Sequence, residues 1–562
     1  MAETQVVRQR SSSPFGAQIT PEGVRFRLWA PAAKSVDVVF IETTKQMHPA
    51  GDGWFEHLEP EAGAGTLYQY QIDGELLVPD PASRFQPKDA DGPSEVIDPA
   101  FAWEEWKGRP WEEAVIYELH VGTFTPAGTF LSVIEKIPHL KELGVTAIEL
   151  MPLADFAGKR NWGYDGVLPY APDSAYGRPE DLKALVQAAH RAGLMVFLDV
   201  VYNHFGPKGN YLHRYAPQFF TERHQTPWGA AIDFSRREVR DFFIGNARYW
   251  LDEYRFDGLR FDAVHAIVDD SAKHILYEIR DAVPPEKHLV LENDANQARF
   301  LSKYAAQWND DSHHAFHVLA TGESQGYYAS YIDGPAKHLA RCLAEGFAYQ
   351  GEVSPFSGKP RGEPSRQLAP TSFVDFLQNH DQIGNRAFGE RLIALADEEQ
   401  LRCLTAILLL APSIPLLFMG EEWGCRQPFV FFCDFPGELG EAVRAGRRRE
   451  FPQIKDMPDP RADATFQQCV LSWKEARSAA GKAWLAFYRE LLQIRQERIV
   501  PLKARNGTCR MLGRRAFEVR WDNLVLLANC GDEPVRVEAP KGKLVWSSGG
   551  PGDPWSVGWW LA

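Results

Sequence analysis

The chain of 562 residues has little that would carry it to a membrane or to nucleic acid. Its longest apolar stretch, around residues 407–412, is far too short to span a bilayer. The opening residues 1–10 contain no apolar core of the kind a secretory signal needs, so no leader is expected. Positive charge is in deficit. The net charge of −14 argues against nucleic acid and anionic membranes as partners, since both reward basic patches. The cysteines are seven, an odd number without C-x-x-C spacing. A reduced, cytoplasmic protein without a zinc site fits them better than a disulfide framework, although Cys425 and Cys433 are near enough in sequence to pair if their loop allowed it. No glycine-rich phosphate loop follows the first parallel-type strand, and no H-E-x-x-H ligand pair occurs.

What the chain does have is length, an ordinary hydrophobic share of 44% and 17 tryptophans. Such a length accommodates two to four domains. A surplus of aromatics suits packing, and equally suits stacking on the apolar faces of sugar rings.

Three textures succeed one another. Residues 1–110 alternate in short runs broken by Gly, Pro and Asp, as at 23–29, 35–40 and 68–72, and predict a small β-sandwich. Residues 111–482 alternate strands with amphipathic helices. The expected strands are 115–121, 147–153, 195–202, 258–264, 288–292, 316–319, 372–377 and 414–419, with helices between them such as 131–143, 180–192, 236–254, 272–282 and 398–410. Eight such repeats predict a (β/α)₈ barrel, with a doubly wound sheet as the alternative. Residues 483–562 begin with the last barrel helix and return to alternating runs at 516–521, 524–529 and 543–547, which predict a small C-terminal β-sandwich. The fold class is therefore α/β: a TIM barrel flanked by two all-β domains.

A barrel of this kind builds its site at the carboxyl ends of its strands. There the sequence places DVVYNH at 199–204, GLRFD at 258–262, Glu292 after an apolar run, NHD at 379–381 and GEEW at 420–423. Asp262 stands two residues from Arg260, on the same face of a strand, and an arginine beside an aspartate favours the ionised carboxylate a nucleophile needs. Glu292, behind 289–291, is expected in an apolar setting that raises its pKa and suits it to donate a proton. Two carboxyls of opposite protonation are the machinery of glycoside hydrolysis, and Asp381 is a third acid able to hold sugar hydroxyls. A metal site is the rival reading for such a cluster of His, Asp and Glu, but the ligand spacing is absent and neither metal nor cofactor is expected.

The first four of these stretches, in this order, resemble the signature regions of the α-amylase superfamily, and NWGYD at 161–165 resembles the superfamily loop whose tyrosine, here Tyr164, stacks beneath the sugar at the cleavage point. The resemblance implies a retaining mechanism in which Asp262 forms a covalent glycosyl-enzyme, Glu292 serves as acid and then base, and Asp381 stabilises the transition state. It also implies that Arg260, His204 and His380 hold hydroxyls and the nucleophile. Within the superfamily the chain resembles the maltooligosyltrehalose trehalohydrolase family. That likeness rests on TPWGAAIDF (226–234), FDAVHAI (261–267), LEND (291–294), HAFHVLAT (314–321) and LQNHDQIGNR (377–386). It implies cleavage of the α-1,4 bond next to the trehalose end of a maltooligosyltrehalose, releasing trehalose and a maltooligosaccharide. It further implies sugar subsites lined by His265, Trp228, His317, Thr321, Gln382 and Arg386. A glycogen branching enzyme shares the fold and the acids, and a carbohydrate-binding scaffold on an inactive barrel is the non-enzymatic alternative. Several residues have plainer readings: Asp199 as a structural partner of Arg260, His317 as a satisfied core histidine, Glu421 and Glu422 as a cap on the eighth strand rather than an outer subsite.

Overall fold

The computed structural model describes residues 5–7, 14–505 and 507–562. Apart from 5–7, the opening stretch in which no leader is expected lies outside them.

The centre is a closed parallel barrel of eight strands, here β1 (Ile116–Leu119), β2 (Ala147–Leu150), β3 (Met195–Val200), β4 (Gly258–Phe261), β5 (His288–Leu291), β6 (Ala306–Trp308), β7 (Phe373–Phe376) and β8 (Ile414–Phe418), each hydrogen-bonded to the next and β8 to β1. Parallel strands covered by helices are buried on both faces and read as continuous apolar runs. That is why seven of the eight are visible in the sequence. Ile116, Ala147, Met195, Phe197, Val290, Ala306, Trp308, Val374, Phe376, Ile414 and Leu416 pack together as one buried cluster.

The sixth strand is where the expectation fails. Residues 316–319 lie inside the helix Asp310–Thr321, and β6 is the three-residue run AQW upstream of it. That helix is buried from Asp311 to Ala320, its polar residues included, so it has no solvent-facing side to give its sequence an amphipathic period. A short apolar run of this kind cannot be told from a strand by periodicity. The expected helix at 131–143 is also two, Phe130–Ile134 and Ile137–Leu143, divided just ahead of Pro138.

Ahead of the barrel, strands Gln18–Thr20, Gly23–Trp29, Trp54–Glu59 and His48–Gly51 form one antiparallel sheet. Leu67–Ile72, Val36–Phe40, Thr44–Gln46, Leu76–Val78 and Ser94–Glu95 form the second. Phe26, Leu28, Val36, Val38, Tyr68 and Tyr70 fill the space between them. After the last barrel helix, Ala479–Ile494, the C-terminal strands make a single five-stranded antiparallel sheet instead of the expected sandwich. Helices of the barrel layer do the work of a second sheet. Trp521 stacks on Trp559 and donates its indole N–H to the carbonyl of Leu343, in the helix Pro335–Glu345, at 3.0 Å.

Two details of the barrel position the site. In register, Asp199 pairs with Arg260, Arg260 with Val290, and Phe261 with Leu291. The ladder then runs one residue past the formal strand ends: Asp262 donates its N–H to Val200 and Glu292 to Phe261, each at 3.0 Å. Asp262 and Glu292 are thus level on adjacent strands, which lie about 4.8 Å apart. Gly258 permits this approach, because a Cβ there would come within 2.0 Å of the His288 carbonyl oxygen.

Candidate active site

Arg260 organises the carboxyl end of the barrel. Its side chain is 2% exposed. One terminal nitrogen donates to Asp199 Oδ2 at 2.7 Å and to Asp262 Oδ1 at 3.1 Å; the other donates to Glu292 Oε2 at 2.8 Å. The guanidinium lies over the indole of Trp308, 4.1 Å from the ring centroid. Three carboxylates on one buried cation fix one another's orientation, since a planar fork leaves few alternatives. Burial works against the charge on Arg260, but Asp199 and Glu292 outweigh it and hold its pKa well up.

The electrostatics reverse one expectation. Glu292 does not sit among apolar groups. Its Oε2 accepts from Arg260 and also from the backbone N–H of Ala263 at 2.8 Å, and Ala263 adopts φ +40° to make that contact. Burial raises the Glu292 pKa, yet Arg260 and the Ala263 amide overcome it and bring it below the usual range. Asp262 shows the opposite balance. Burial, then the Glu292 charge, push it well up despite Arg260. The two carboxyls share one cation and act on each other, so they titrate as a pair.

Around this pair the expected residues fall into two groups. Tyr164 donates to Asp199 Oδ2 at 2.6 Å and stacks on His380, with centroids 5.0 Å apart. His380 Nδ1 meets Glu118 Oε1 at 2.5 Å; burial disfavours its charge, but Glu118 wins and raises its pKa. Asp381 follows on the short helix His380–Gly384, its pKa raised by burial against the pull of His380. His204 donates from Nε2 to the Tyr164 carbonyl at 3.0 Å and lies flat against Trp228, centroids 4.3 Å apart; burial lowers it to about 4. Trp228 is 49% exposed on the hairpin turn between Phe220–Thr226 and Gly229–Ile232. His265 is exposed, with Nδ1 accepting from the Asp294 N–H at 3.3 Å.

The second group is built on the helix Asp310–Thr321. His317 stacks on Tyr328 and pairs through Nε2 with Glu323 at 2.8 Å. Arg386 grips the same carboxylate with both terminal nitrogens, at 2.8 and 3.0 Å. His317 first and Arg386 second hold Glu323 down at about 2. Thr321 donates its hydroxyl to the His317 carbonyl at 2.8 Å, and Gln382 Oε1 accepts from Tyr327 at 3.0 Å. His317, Thr321 and Arg386 thus have their polar groups engaged with protein.

Glu421 and Glu422 lie outside the site. Glu421 accepts from Gln378, Phe418 and Tyr488, and Glu422 from Tyr117, so both are buried caps beneath β8. The sequence reading passed over Trp308, Glu118 and Glu323. Glu118 had a visible signal, an acid inside the apolar strand β1; Trp308 did not, because its strand went unrecognised. Among the described residues no group of three or more His, Cys, Asp or Glu is arranged to hold a metal.

The α-amylase catalytic domain matches over residues 82–244, the carbohydrate-binding module found at isoamylase N-termini over 14–99, and a domain of unknown function over 504–559. With the closed barrel and its acids, these define a glycoside hydrolase of the α-amylase type. The chain is 45% identical to the malto-oligosyltrehalose trehalohydrolase of Deinococcus radiodurans over 524 residues, 88% of this chain and 87% of that one. It is 44% identical to the same enzyme of Saccharolobus solfataricus, over 86% and 87% of the two chains. A crystal structure described as a putative alpha amylase from Salmonella typhimurium superposes with a TM-score of 0.95 at 48% identity, covering 98% of this chain and all of that one. The chain belongs to the malto-oligosyltrehalose trehalohydrolase family.

Proposed function

We propose that the protein hydrolyses the α-1,4 bond joining trehalose to the end of a maltooligosaccharide, with retention, and that Asp262, Glu292 and Asp381 carry the reaction. The observation that bears most weight is the single guanidinium of Arg260 shared by Asp262 and Glu292, level on adjacent strands. Two carboxyls about one strand spacing apart suit a double displacement, where about 5–5.5 Å is needed; inversion needs a wider gap to admit water.

In this mechanism Asp262 attacks the anomeric carbon while Glu292 gives its proton to the glycosidic oxygen, and trehalose departs. Glu292, now ionised, takes a proton from water, whose oxygen displaces Asp262 and frees the maltooligosaccharide with its original anomeric configuration. Asp381, with its pKa raised by burial, is placed to hold hydroxyls of the distorted sugar. Arg260 positions the nucleophile, and Tyr164, His204 and His380 form the wall of the sugar pocket. The branching-enzyme reading has weaker support: a branching enzyme from Corynebacterium jeikeium matches over only 45% of this chain at 34% identity. All seven cysteines are free thiols, six of them buried, which supports a reducing cytoplasmic setting. Among the described residues no helix is long and apolar enough to cross a membrane.

Product analysis on two substrates of equal length tests the reading. Trehalose released from maltooligosyltrehalose, with the plain maltooligosaccharide cut far more slowly, is the expected result. Equal cutting of both would reduce the enzyme to a general amylase, and new α-1,6 branches would make it a transferase.

A further inference from the structure

The helix Gly437–Glu450, which follows β8, carries Arg444, Arg447, Arg448 and Arg449, and the proposed mechanism uses none of them. Arg448 and Arg449 are exposed, and Arg444 pairs with Glu441 on its own helix at 2.6 Å. Arg447 is different. Its side chain is 11% exposed and lies over the rings of Phe431 and Phe451, with the guanidinium carbon 5.8 and 5.3 Å from their centroids. One terminal nitrogen is tied to Glu450 at 2.6 Å. The other leaves its own helix and donates to the carbonyls of Gly384, Asn385 and Arg386, at 3.5, 3.4 and 3.4 Å.

Those carbonyls form the turn that closes the short helix His380–Gly384. The last carbonyls of a helix have no partner within it, and a basic side chain is one way to satisfy them. A nitrogen shared by three oxygens aligns well with none, so Arg447 holds the turn by its charge on three carbonyl dipoles more than by any single bond. Gly384 and Arg386 have other support, since their carbonyls also accept from the N–H groups of Phe431 and Gly389, each at 3.3 Å. The Asn385 carbonyl, between them, has no other donor among the described residues. Asn385 in turn holds the third acid of the site. Its Nδ2 donates to Asp381 Oδ1 at 2.5 Å and its backbone N–H to the Asp381 carbonyl at 3.0 Å. Among the described residues no other group donates to the Asp381 carboxyl. The orientation of that carboxyl therefore depends on Asn385, and the backbone of Asn385 on Arg447.

We infer that Arg447 is a positioning residue for Asp381: from the helix beyond β8 it holds the turn 384–386, and through Asn385 it fixes the carboxyl that meets the sugar. The inference rests on the role proposed above for Asp381. A plainer role would be to anchor the helix Gly437–Glu450 to the barrel, which would affect stability and leave the chemistry alone. Rates separate the two.

The experiment measures trehalose release from maltooligosyltrehalose, well below each variant's Tm, for wild type, Arg447→Met, Arg447→Lys, Asn385→Ala and the double variant Arg447→Met with Asn385→Ala. Methionine keeps the stem over Phe431 and Phe451 and removes the fork. Arg447→Met is expected to lower kcat about 10- to 100-fold, as a small misplacement of a group at the reacting centre does, with a smaller change in KM. Arg447→Lys, which keeps the charge without the fork, should recover part of that loss. Because both residues act on Asp381 through one contact, the double variant should be about as slow as the slower single variant; independent effects would multiply. A folded Arg447→Met enzyme with wild-type kcat overturns the inference, and so does a loss that multiplies with that of Asn385→Ala. If the methionine variant does not fold, Arg447→Lys and its combination with Asn385→Ala are read in the same way. An Asp381→Asn enzyme that keeps wild-type turnover would overturn the role of Asp381 itself and this inference with it, whereas the other two outcomes strike the inference alone.

Discussion

Replacing Arg260 by methionine removes the one cation shared by Asp199, Asp262 and Glu292, while keeping most of the side-chain volume over Trp308. Withdrawing one partner from a buried ionic cluster costs about 3–5 kcal/mol of stability, because the remaining charges are left uncompensated. A lower Tm alone would say little about chemistry; the pH profile says more. An adjacent arginine lowers a carboxyl pKa by about 1–3 units, and its loss returns that shift. The acidic limb of kcat/KM falls where the nucleophile gains a proton, so raising its pKa carries that limb to higher pH. The basic limb falls where the acid loses its proton, and raising that pKa carries it the same way. Both limbs should therefore move alkaline-ward by about one to three units, reported as properties of the coupled pair. The assay is trehalose release from maltooligosyltrehalose across about pH 4 to 9, a window that spans both limbs. A variant slowed evenly at every pH, with its limbs unmoved, would show that Arg260 serves only to pack the site.

Other perturbations read different parts of the site. Asp262→Asn should abolish turnover yet raise Tm. The folded Asp262 pKa lies well above its unfolded value, so its ionisation is costlier in the fold and its penalty grows as pH rises. The gain, about 0.5–2 kcal/mol, should be larger at neutral pH than near pH 4; equal gains at both would refute the account. Glu323→Gln tests the opposite sign. Held at about 2 by His317 and Arg386, Glu323 stabilises the fold above its unfolded pKa and ceases to as pH falls toward 2. Its loss should cost about 1–2 kcal/mol at neutral pH, discounted for partial exposure, and raise KM more than it lowers kcat; thermal melts at pH 7 and pH 3 should show the deficit shrinking. Gly258→Ala should give no soluble barrel on expression and fractionation, since its Cβ would overlap the His288 carbonyl.

The barrel was legible because its strands are buried on both faces, and so were the acids at their ends, since a charged residue directly after an apolar run is conspicuous. What the sequence concealed has physical causes. β6 is three residues long and is followed by a helix buried on all sides, whose short run FHVL draws the strand assignment downstream. His317 was accordingly placed on a strand, and the partner that occupies it, Glu323, went unnoticed. The C-terminal strands alternate as those of a sandwich do, but what covers their inner face is the barrel's own helix layer, and alternation reports burial without naming the cover. The environment of Glu292 was misjudged for a related reason. Local sequence shows the three apolar residues behind it and not the Ala263 amide or the Arg260 fork, both supplied by the neighbouring strand.

That last misjudgement bears on how the reaction begins. Burial and the neighbouring carboxylate raise the Asp262 pKa, while Arg260 and the Ala263 amide lower that of Glu292, a bias opposite to the one the first chemical step requires. Arg260 touches both carboxyls, and the Ala263 amide, which reaches Glu292 alone, adds to the bias. For Glu292 to act as an acid, a substrate must tip the balance by a modest amount: a bound sugar that gives hydroxyl donors to Asp262 lowers its pKa, while desolvation by the leaving-side sugar raises that of Glu292. Both influences require the two sides of the cleavage point to be filled together. A substrate short of its leaving-side sugars should therefore lose in kcat as well as in affinity, because it binds without moving the proton.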